Sequence, residues 1–327
     1  MIKIIDATLA NIDQYEISRE QLLFFCEGMK QIGILDMEIS TKVYHMFGTL
    51  PEGIRFYLRL DPFQKIADFQ GIYKYVISNI ENLANCISSF QINDSREVQL
   101  LRKHGPLDFV KIVGLDDLLC GNYTFVMKEI MSIFAGKEIL FCPENTYDCA
   151  SALAIIWLGL GGKAVTTSFM GIGNLSATEE VYMAMHVTCR YKPNQSLSIL
   201  QNLAVWYEKI TKKLISPIKP VIGQKIFYVE SGIHVDGIIK NPANYEAYEP
   251  QLVGKETTIV IGKHSGTNSI KLKCNEHGID VHSQSDIDLI LNKVKQICME
   301  KRSGLTDDEF LGLVREVLAD ERKKMDC

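Results

Sequence analysis

What most restricts this chain is an alternation. From Ile2 to Ser168, short β-rich runs take turns with segments of helical spacing. Candidate strands are Ile2–Ile5, Leu35–Ile39, Ile54–Leu60, Tyr73–Ile77, Ser88–Ile92, Phe109–Val113, Glu138–Cys142 and Ala164–Ser168. Candidate helices sit between most of them. One opens at Ser18 with Gln21 three residues on; others are Pro62–Phe69, Ser95–Lys103, Asn122–Ala135, Tyr147–Leu160 and a stretch after Ala177 through Glu179–Met185. Ser followed by Gln at that spacing is a capping box, in which each side chain accepts a backbone N–H that the first helical turn leaves over. Eight such strand–helix units predict an α/β fold of the (β/α)8 barrel type, with a parallel sheet and helices on its outer face. The units between Pro51 and Asp94 are short, so the barrel is compact there. A doubly wound open sheet is the competing arrangement. It calls for a glycine-rich phosphate turn after the first strand, and IIDATLANID has no glycine.

Composition removes several function classes. At 46% hydrophobic and 23% charged residues, the chain has ample material for a core. Its net charge is −5 and it has no dense basic run, so nucleic acid is not an expected partner. Nine cysteines lie scattered without CxxC pairs, which suits reduced thiols in a cytoplasm. The opening residues carry no signal-peptide pattern. The longest apolar stretch, ASALAIIWLGLGG from Ala150, falls short of the roughly 20 residues a membrane helix needs. A cytoplasmic protein without membrane contact is the expectation.

Pro217 and Pro220 mark a break. Residues 223–268 read as extended and loop-rich, and helical stretches follow, two of them with Ser285 and Thr306 as N-caps. Expected domains are therefore 1–216, a barrel; 217–268, a linker and arm; and 269–327, a small helical subdomain.

The arm reads ESGIHVDGIIKNPANYEAYEPQLVG and then TTIVIGKHSGT, and GIGNLSATEEV stands earlier at 171–181. These motifs resemble the homocitrate synthase and isopropylmalate synthase family of metal-dependent acyltransferases. The likeness is strongest to the homocitrate synthases that serve nitrogenase cofactor assembly. The resemblance implies a (β/α)8 barrel with a divalent cation at the C-terminal ends of its strands. It also implies condensation of acetyl-CoA with a 2-oxo acid, and an arm that lids the active site of a neighbouring subunit.

The departures from the family pattern are concentrated in the barrel. The family's first strand ends in a D-T-L-R-D-G-E-Q type motif, and this chain has DATLANIDQ. The family arginine falls on Ala10 and its metal-ligand aspartate on Asn11. The His-x-His pair falls on Cys142 and Glu144 of FCPEN, the metal-ligand asparagine on Thr178, and the oxo-acid threonine on Leu115. The arm keeps more: His234 matches the histidine of the base machinery, and Tyr245 its neighbouring tyrosine, with Tyr248 one register away. The histidine that precedes them in the family is Val229 here.

The expected protein is thus a degenerate, alpha-type subunit. It binds no cofactor itself and supplies His234 and Tyr245 in trans to a homologous barrel subunit that holds Mg²⁺ or Mn²⁺, with acetyl-CoA as co-substrate; alone, it forms a homodimer. The apolar arm residues Ile233, Val235, Ile238, Ile239, Leu252 and Val253 call for another surface to cover them. Blander readings stand beside these. Asp6 suits a structural role toward loop amides. Cys142 suits a small buried hydrophobe, and Glu144 a rim residue or a partner of Lys111. His264 suits a loop-fixing role. Gly171 and Gly173 fit either a close approach to a ligand or a plain β-to-α turn. Competing functions are a non-catalytic binding homologue, and a stand-alone enzyme that uses Cys142 and Glu144.

Overall fold

The computed structural model describes residues 2–61, 64–78, 85–190, 196–281 and 283–325, and the chain divides into two compact units, Met1–Ile222 and Gly223–Cys327. In the first unit eight parallel strands close into a barrel. They are β1 (Lys3–Asp6), β2 (Asp36–Ser40), β3 (Arg55–Arg59), β4 (Lys74–Ile77), β5 (Cys86–Ile92), β6 (Phe109–Gly114), β7 (Glu138–Pro143) and β8 (Ala164–Thr167). Closure is a four-residue register between β1 and β8, from Lys3 opposite Ala164 to Asp6 opposite Thr167. The barrel type expected from the alternation is the observed one.

The helices α1 (Arg19–Gln31), α2 (Thr41–Phe47), α3 (Tyr123–Ile133), α4 (Ala150–Gly159), α5 (Thr178–Cys189) and α6 (Ile199–Thr211) belong to the same unit. Ser18 and Gln21 form both halves of the capping box at α1. The connection from β3 to β4 holds only a short 3-10 turn at Ile66–Asp68 in place of the helix expected at Pro62–Phe69, whose residues 62 and 63 lie outside those described. The helix expected at Ser95–Lys103 is a 3-10 helix, Ser95–His104. The apolar stretch from Ala150 is the buried α4, with the Trp157 indole N–H on the Ala164 carbonyl at 3.1 Å. Among the described residues no helix is long and apolar enough to cross a membrane. Helix α6 had no counterpart in the expected elements. It packs on α1, where Phe25 stacks on Trp206 at 4.6 Å.

Inside the barrel, Ile5, Tyr57, Val76, Ile87, Leu140 and Ala164, each from a different strand, form one apolar cluster. Nearer the C-terminal ends of the strands the interior turns ionic. Glu38 of β2 is fully buried and takes Lys111 of β6 on Oε2 at 2.5 Å and Arg59 of β3 on Oε1 at 2.7 Å. Burial alone would raise this carboxyl; the two cations hold it down at about 2.

The second unit is built from β9 (Tyr228–Val229), β10 (Thr258–Ile259) and helices α7 (Gly232–Lys240), α8 (Thr267–Glu276), α9 (Gln284–Lys301) and α10 (Asp307–Met325). Its core gathers Ile270, Ile287, Ile290, Val294, Phe310 and Val314 with Ile261. The arm is less extended than its composition suggests. Residues Gly232–Lys240 are helical, with Val235 buried. Two glycines weaken that helix locally, and contact with α8 supports it. The N-cap of α9 is Ser283, whose hydroxyl accepts the Asp286 N–H, and Ser285 falls inside the helix. Thr306 caps α10 as expected, in a reciprocal pair with Glu309.

Substituting Glu38→Gln leaves Lys111 enclosed without its counter-ion, and breaking a buried pair in this way costs about 3–5 kcal/mol. A depressed carboxylate contributes stability above its unfolded pKa that is lost as pH falls through the folded one. In urea titrations Glu38→Gln is therefore expected to lower stability at neutral pH, and the loss relative to the unsubstituted chain should shrink as pH falls from about 4.5 towards 2. An unchanged midpoint at pH 7 would contradict the ionic interior.

Candidate functional site

The residues singled out from sequence lie at the barrel mouth in the first unit and on α7 and its neighbours in the second. At the mouth, Asp6 is fully buried. It accepts the Thr8 N–H at 2.9 Å and the Thr178 hydroxyl at 2.5 Å. Thr178 also meets the Thr167 hydroxyl at 2.7 Å. Burial pushes the Asp6 carboxyl up to about 6 against those donors. Asp6 and Thr178 thus tie β1, β8 and the start of α5 together, which is the structural role open to Asp6 from the start.

Asn11 turns its amide N–H to the Ala7 carbonyl at 2.8 Å and offers its oxygen to Arg59 Nη1 at 3.1 Å. The glycine turn lies on this side chain. A Cβ on Gly173, at φ +78°, would stand 2.6 Å from Asn11 Cγ, so the bare glycine makes room for Asn11. Next to it Met170 adopts φ +59°, and its N–H is held by the buried Glu179 carboxylate at 3.0 Å. Burial pushes the Glu179 carboxyl up to about 7.

Cys142 is buried in a small apolar cluster with Ala7, Ala10 and Leu175, against which Val113 packs. Burial pushes its thiol up to about 11, so it stays protonated. Glu144 does not pair with Lys111. It accepts the Gln91 amide at 2.9 Å, because Lys111 is committed across the barrel to Glu38. Cys142 and Glu144 therefore form no nucleophile–base pair. Leu115 is buried in the left-handed region at φ +54°.

The divalent cation implied by the resemblance does not fit this donor set. Asn11 and Thr178 are neutral and already bonded, Cys142 is a thiol, Glu144 accepts from Gln91, and Lys111 and Arg59 bring two positive charges against the one carboxylate of Glu38. Among the described residues no group of three or more His, Cys, Asp or Glu side chains is placed to share an ion. Glu38 and Arg59 were not foreseen from sequence, and Lys111 only as a partner for Glu144. The available signal was a charge within or at the end of a largely apolar strand: DMEIS, RFYLR and FVKIVG.

In the second unit the two arm motifs clasp each other. The Gly232 N–H binds the His264 carbonyl at 3.1 Å, the His264 N–H binds Glu230 Oε1 at 3.0 Å, and the Ser265 hydroxyl donates to the Glu230 carbonyl at 3.3 Å. A Cβ on Gly232 would stand 2.7 Å from the Gly266 nitrogen, so both backbones meet only because residue 232 is glycine. His264 acts here through its backbone. The clasp sets the start of α7, and His234 sits exposed in the first turn. Its ring lies 5.5 Å from that of Tyr245, tilted by 56°. Tyr248 turns elsewhere, edge-on to Phe227 at 5.5 Å. Of the arm's apolar residues, Val235 and Val253 are buried, whereas Ile233 and Ile239, on the same helix as His234, are 78% and 53% exposed.

Comparison with known proteins places these features. Residues 221–302 match the family model described as homocitrate synthase post-HMGL domain-like. The omega subunit of homocitrate synthase from Clostridium pasteurianum is 26% identical over 343 aligned positions, covering 96% of this chain and 95% of that protein. That relative is an omega subunit, where the resemblance had suggested an alpha type. Homocitrate synthase AksA of Methanothermobacter thermautotrophicus is 35% identical over 196 residues, and the chain spans about half, 49%, of its length. The 2-isopropylmalate synthase 2 of Caldanaerobacter subterraneus is 29% identical over 80% of this chain and 67% of that protein. Among solved structures, Bacillus subtilis HMG-CoA lyase superposes with a TM-score of 0.51 at 12% identity, over 64% of this chain and 93% of that one, and so shares the fold. With its closed parallel barrel and its clasped arm motifs, the chain is similar to the homocitrate synthases and 2-isopropylmalate synthases.

Proposed function

We propose that this chain is the accessory subunit of a heteromeric homocitrate synthase that condenses acetyl-CoA with 2-oxoglutarate, and that it acts in the active site of a homologous barrel subunit. The observation that carries the reading is the contrast between its two ends. His234 stands exposed on a clasped helix with the Tyr245 ring beside it, while the charged side chains of the chain's own mouth are committed to an ion triad and Cys142 to an apolar cluster. The subunit name of the Clostridium pasteurianum relative supports a multi-subunit assembly. The chain itself holds no cation in this reading.

A divalent cation in the partner barrel, Mg²⁺ or Mn²⁺, would polarise the oxo-acid carbonyl. This chain's part is the proton. Deprotonating the acetyl methyl group needs a base within hydrogen-bond reach. The His234 imidazole is the exposed titratable ring on α7, and the Tyr245 ring beside it limits the orientations that imidazole can take. Ile233, next to His234, offers apolar surface that excludes water once α7 is covered. A non-catalytic binding homologue is the second reading, favoured by the cavity that remains in this chain's own mouth.

The chain alone is expected to release no CoA from acetyl-CoA with 2-oxoglutarate or 2-oxoisovalerate, with or without Mg²⁺ or Mn²⁺. Metal-stimulated turnover by the isolated chain would refute the division of labour. In the reconstituted pair, His234→Ala should lower the steady-state rate by about 10²–10⁴-fold, the usual cost of losing a general base. Tyr245→Phe should lower it less, and Cys142→Ser and Glu144→Gln should leave it nearly unchanged. The opposite ranking would put the chemistry in this chain's own barrel. Sedimentation of the mixture is expected to show a complex whose interface is of the obligate class, on the order of 2,000–5,000 Å²; two unassociated species would exclude it.

A further inference from the structure

We propose that the floor of the barrel, at the N-terminal ends of its strands, is a binding site for a small organic phosphate, received by the ammonium groups of Lys3, Lys137 and Lys163. The inference goes beyond the role of the arm and does not rest on it. A cavity of about 480 Å³ opens here, between the starts of β7 and β8 and the ends of α3 and α4. Cavities that hold small-molecule ligands run from roughly 300 to 1,000 Å³. Its apolar wall includes Met131, Phe134 and Ile139, and its charged lining is the three lysines and Glu138. Gly136 and Gly161 border it at φ +79° and +105°, and a Cβ on either would meet nothing within 4 Å, so the entrance is open. Barrels of this kind do their chemistry at the C-terminal ends of their strands. A ligand at the floor is therefore an effector and not a substrate.

Charge selects the ligand. Lys3 pairs with Glu138 at 2.7 Å and Lys137 with Asp108 at 2.5 Å, and both pairs are partly exposed. Such pairs are weak, so an anion can share these ammonium groups without a large loss. Lys163 is exposed, and its ammonium makes no ion pair or hydrogen bond among the described residues. Behind Glu138, Lys74 at the start of β4 is 5% exposed. Its ammonium lies 2.8 Å from the centre of the Phe109 ring and has no hydrogen-bond acceptor among the described residues. Burial lowers its pKa, with Glu138 acting against that shift and Lys3 adding to it. One carboxylate thus answers to two ammonium groups. A lysine just past a helix C-terminus ordinarily serves the carbonyls left over there. That accounts for Lys137 after α3 and Lys163 after α4, and it leaves Lys3 and Lys74 as an excess of positive charge at the floor. Lysines on flexible stems bind phosphate as point charges. The carbon body of the ligand would rest against Met131 and Phe134.

Calorimetric titration of the full chain in EDTA tests this. Phenyl phosphate and ADP are the probes; pyrophosphate, which lacks the carbon body, and citrate, which lacks the phosphate, are the controls. The expected result is binding of one or both probes with Kd at or below about 1 mM, tighter than either control. Lys163→Glu, at an exposed position, should weaken it at least about tenfold, the scale of one charge-assisted hydrogen bond. Lys213→Glu, at an exposed position of the same unit that does not line the cavity, should change it less than about twofold. Met131→Trp fills the cavity and leaves every charge in place, and it should abolish binding while circular dichroism shows a folded chain. Preference for pyrophosphate or citrate, equal losses with Lys163→Glu and Lys213→Glu, binding that survives both Lys163→Glu and Met131→Trp, or no binding up to about 10 mM would each overturn the assignment.

Discussion

A carboxylate placed inside a closed barrel has to be neutralised there, and Glu38 is such a carboxylate. With no water to solvate it, it needs cations from neighbouring strands, and it has Lys111 from β6 and Arg59 from β3. Much of the mouth follows. Arg59, held by Glu38, also bonds Asn11, which in turn holds the loop after β1 through the Ala7 carbonyl. The glycine turn after β8 must then leave space for that amide. Lys111, drawn to Glu38, is not available to Glu144. One buried acid thus sets the orientation of side chains on several strands and the polarity of the opening above them.

The second unit is governed by backbone contact. Two short motifs, 34 residues apart in sequence, are joined through main-chain hydrogen bonds and one glycine-to-backbone approach. Such a clasp tolerates change in the side chains around it, provided the glycines, Glu230 and Ser265 remain. It fixes the first turn of α7, and so the direction in which His234 leaves the helix.

The barrel was readable because each of its strands is a short apolar run, and the observed strands start and end within two residues of those expected. The element that escaped in the arm, α7, carries Gly232 and Gly237, which dilute helical spacing, and its stability comes from contacts with distant residues. The site was legible in part. Side chains matched to the arm motifs, His234 and Tyr245, are adjacent in space. The changed positions Ala10, Asn11, Cys142 and Thr178 all gather at the β1, β7 and β8 end of the barrel. The ion triad was not legible: Glu38 and Lys111 are 73 residues apart, and each alone reads as an ordinary charge on a strand. Pairing across a barrel interior is a property of closure, which no local pattern carries.

The ring of Tyr245 rests on Gly237, where any Cβ would lie 2.0 Å from the ring edge. The neighbour of the exposed histidine therefore owes its position to the absence of a side chain one turn along the helix. Natural variation at position 237 would be invisible to a search for changed catalytic groups, because neither ring would be altered. Even an alanine there would lift the tyrosine away. A single methyl group could part the two rings while every residue with recognisable chemistry stayed in place.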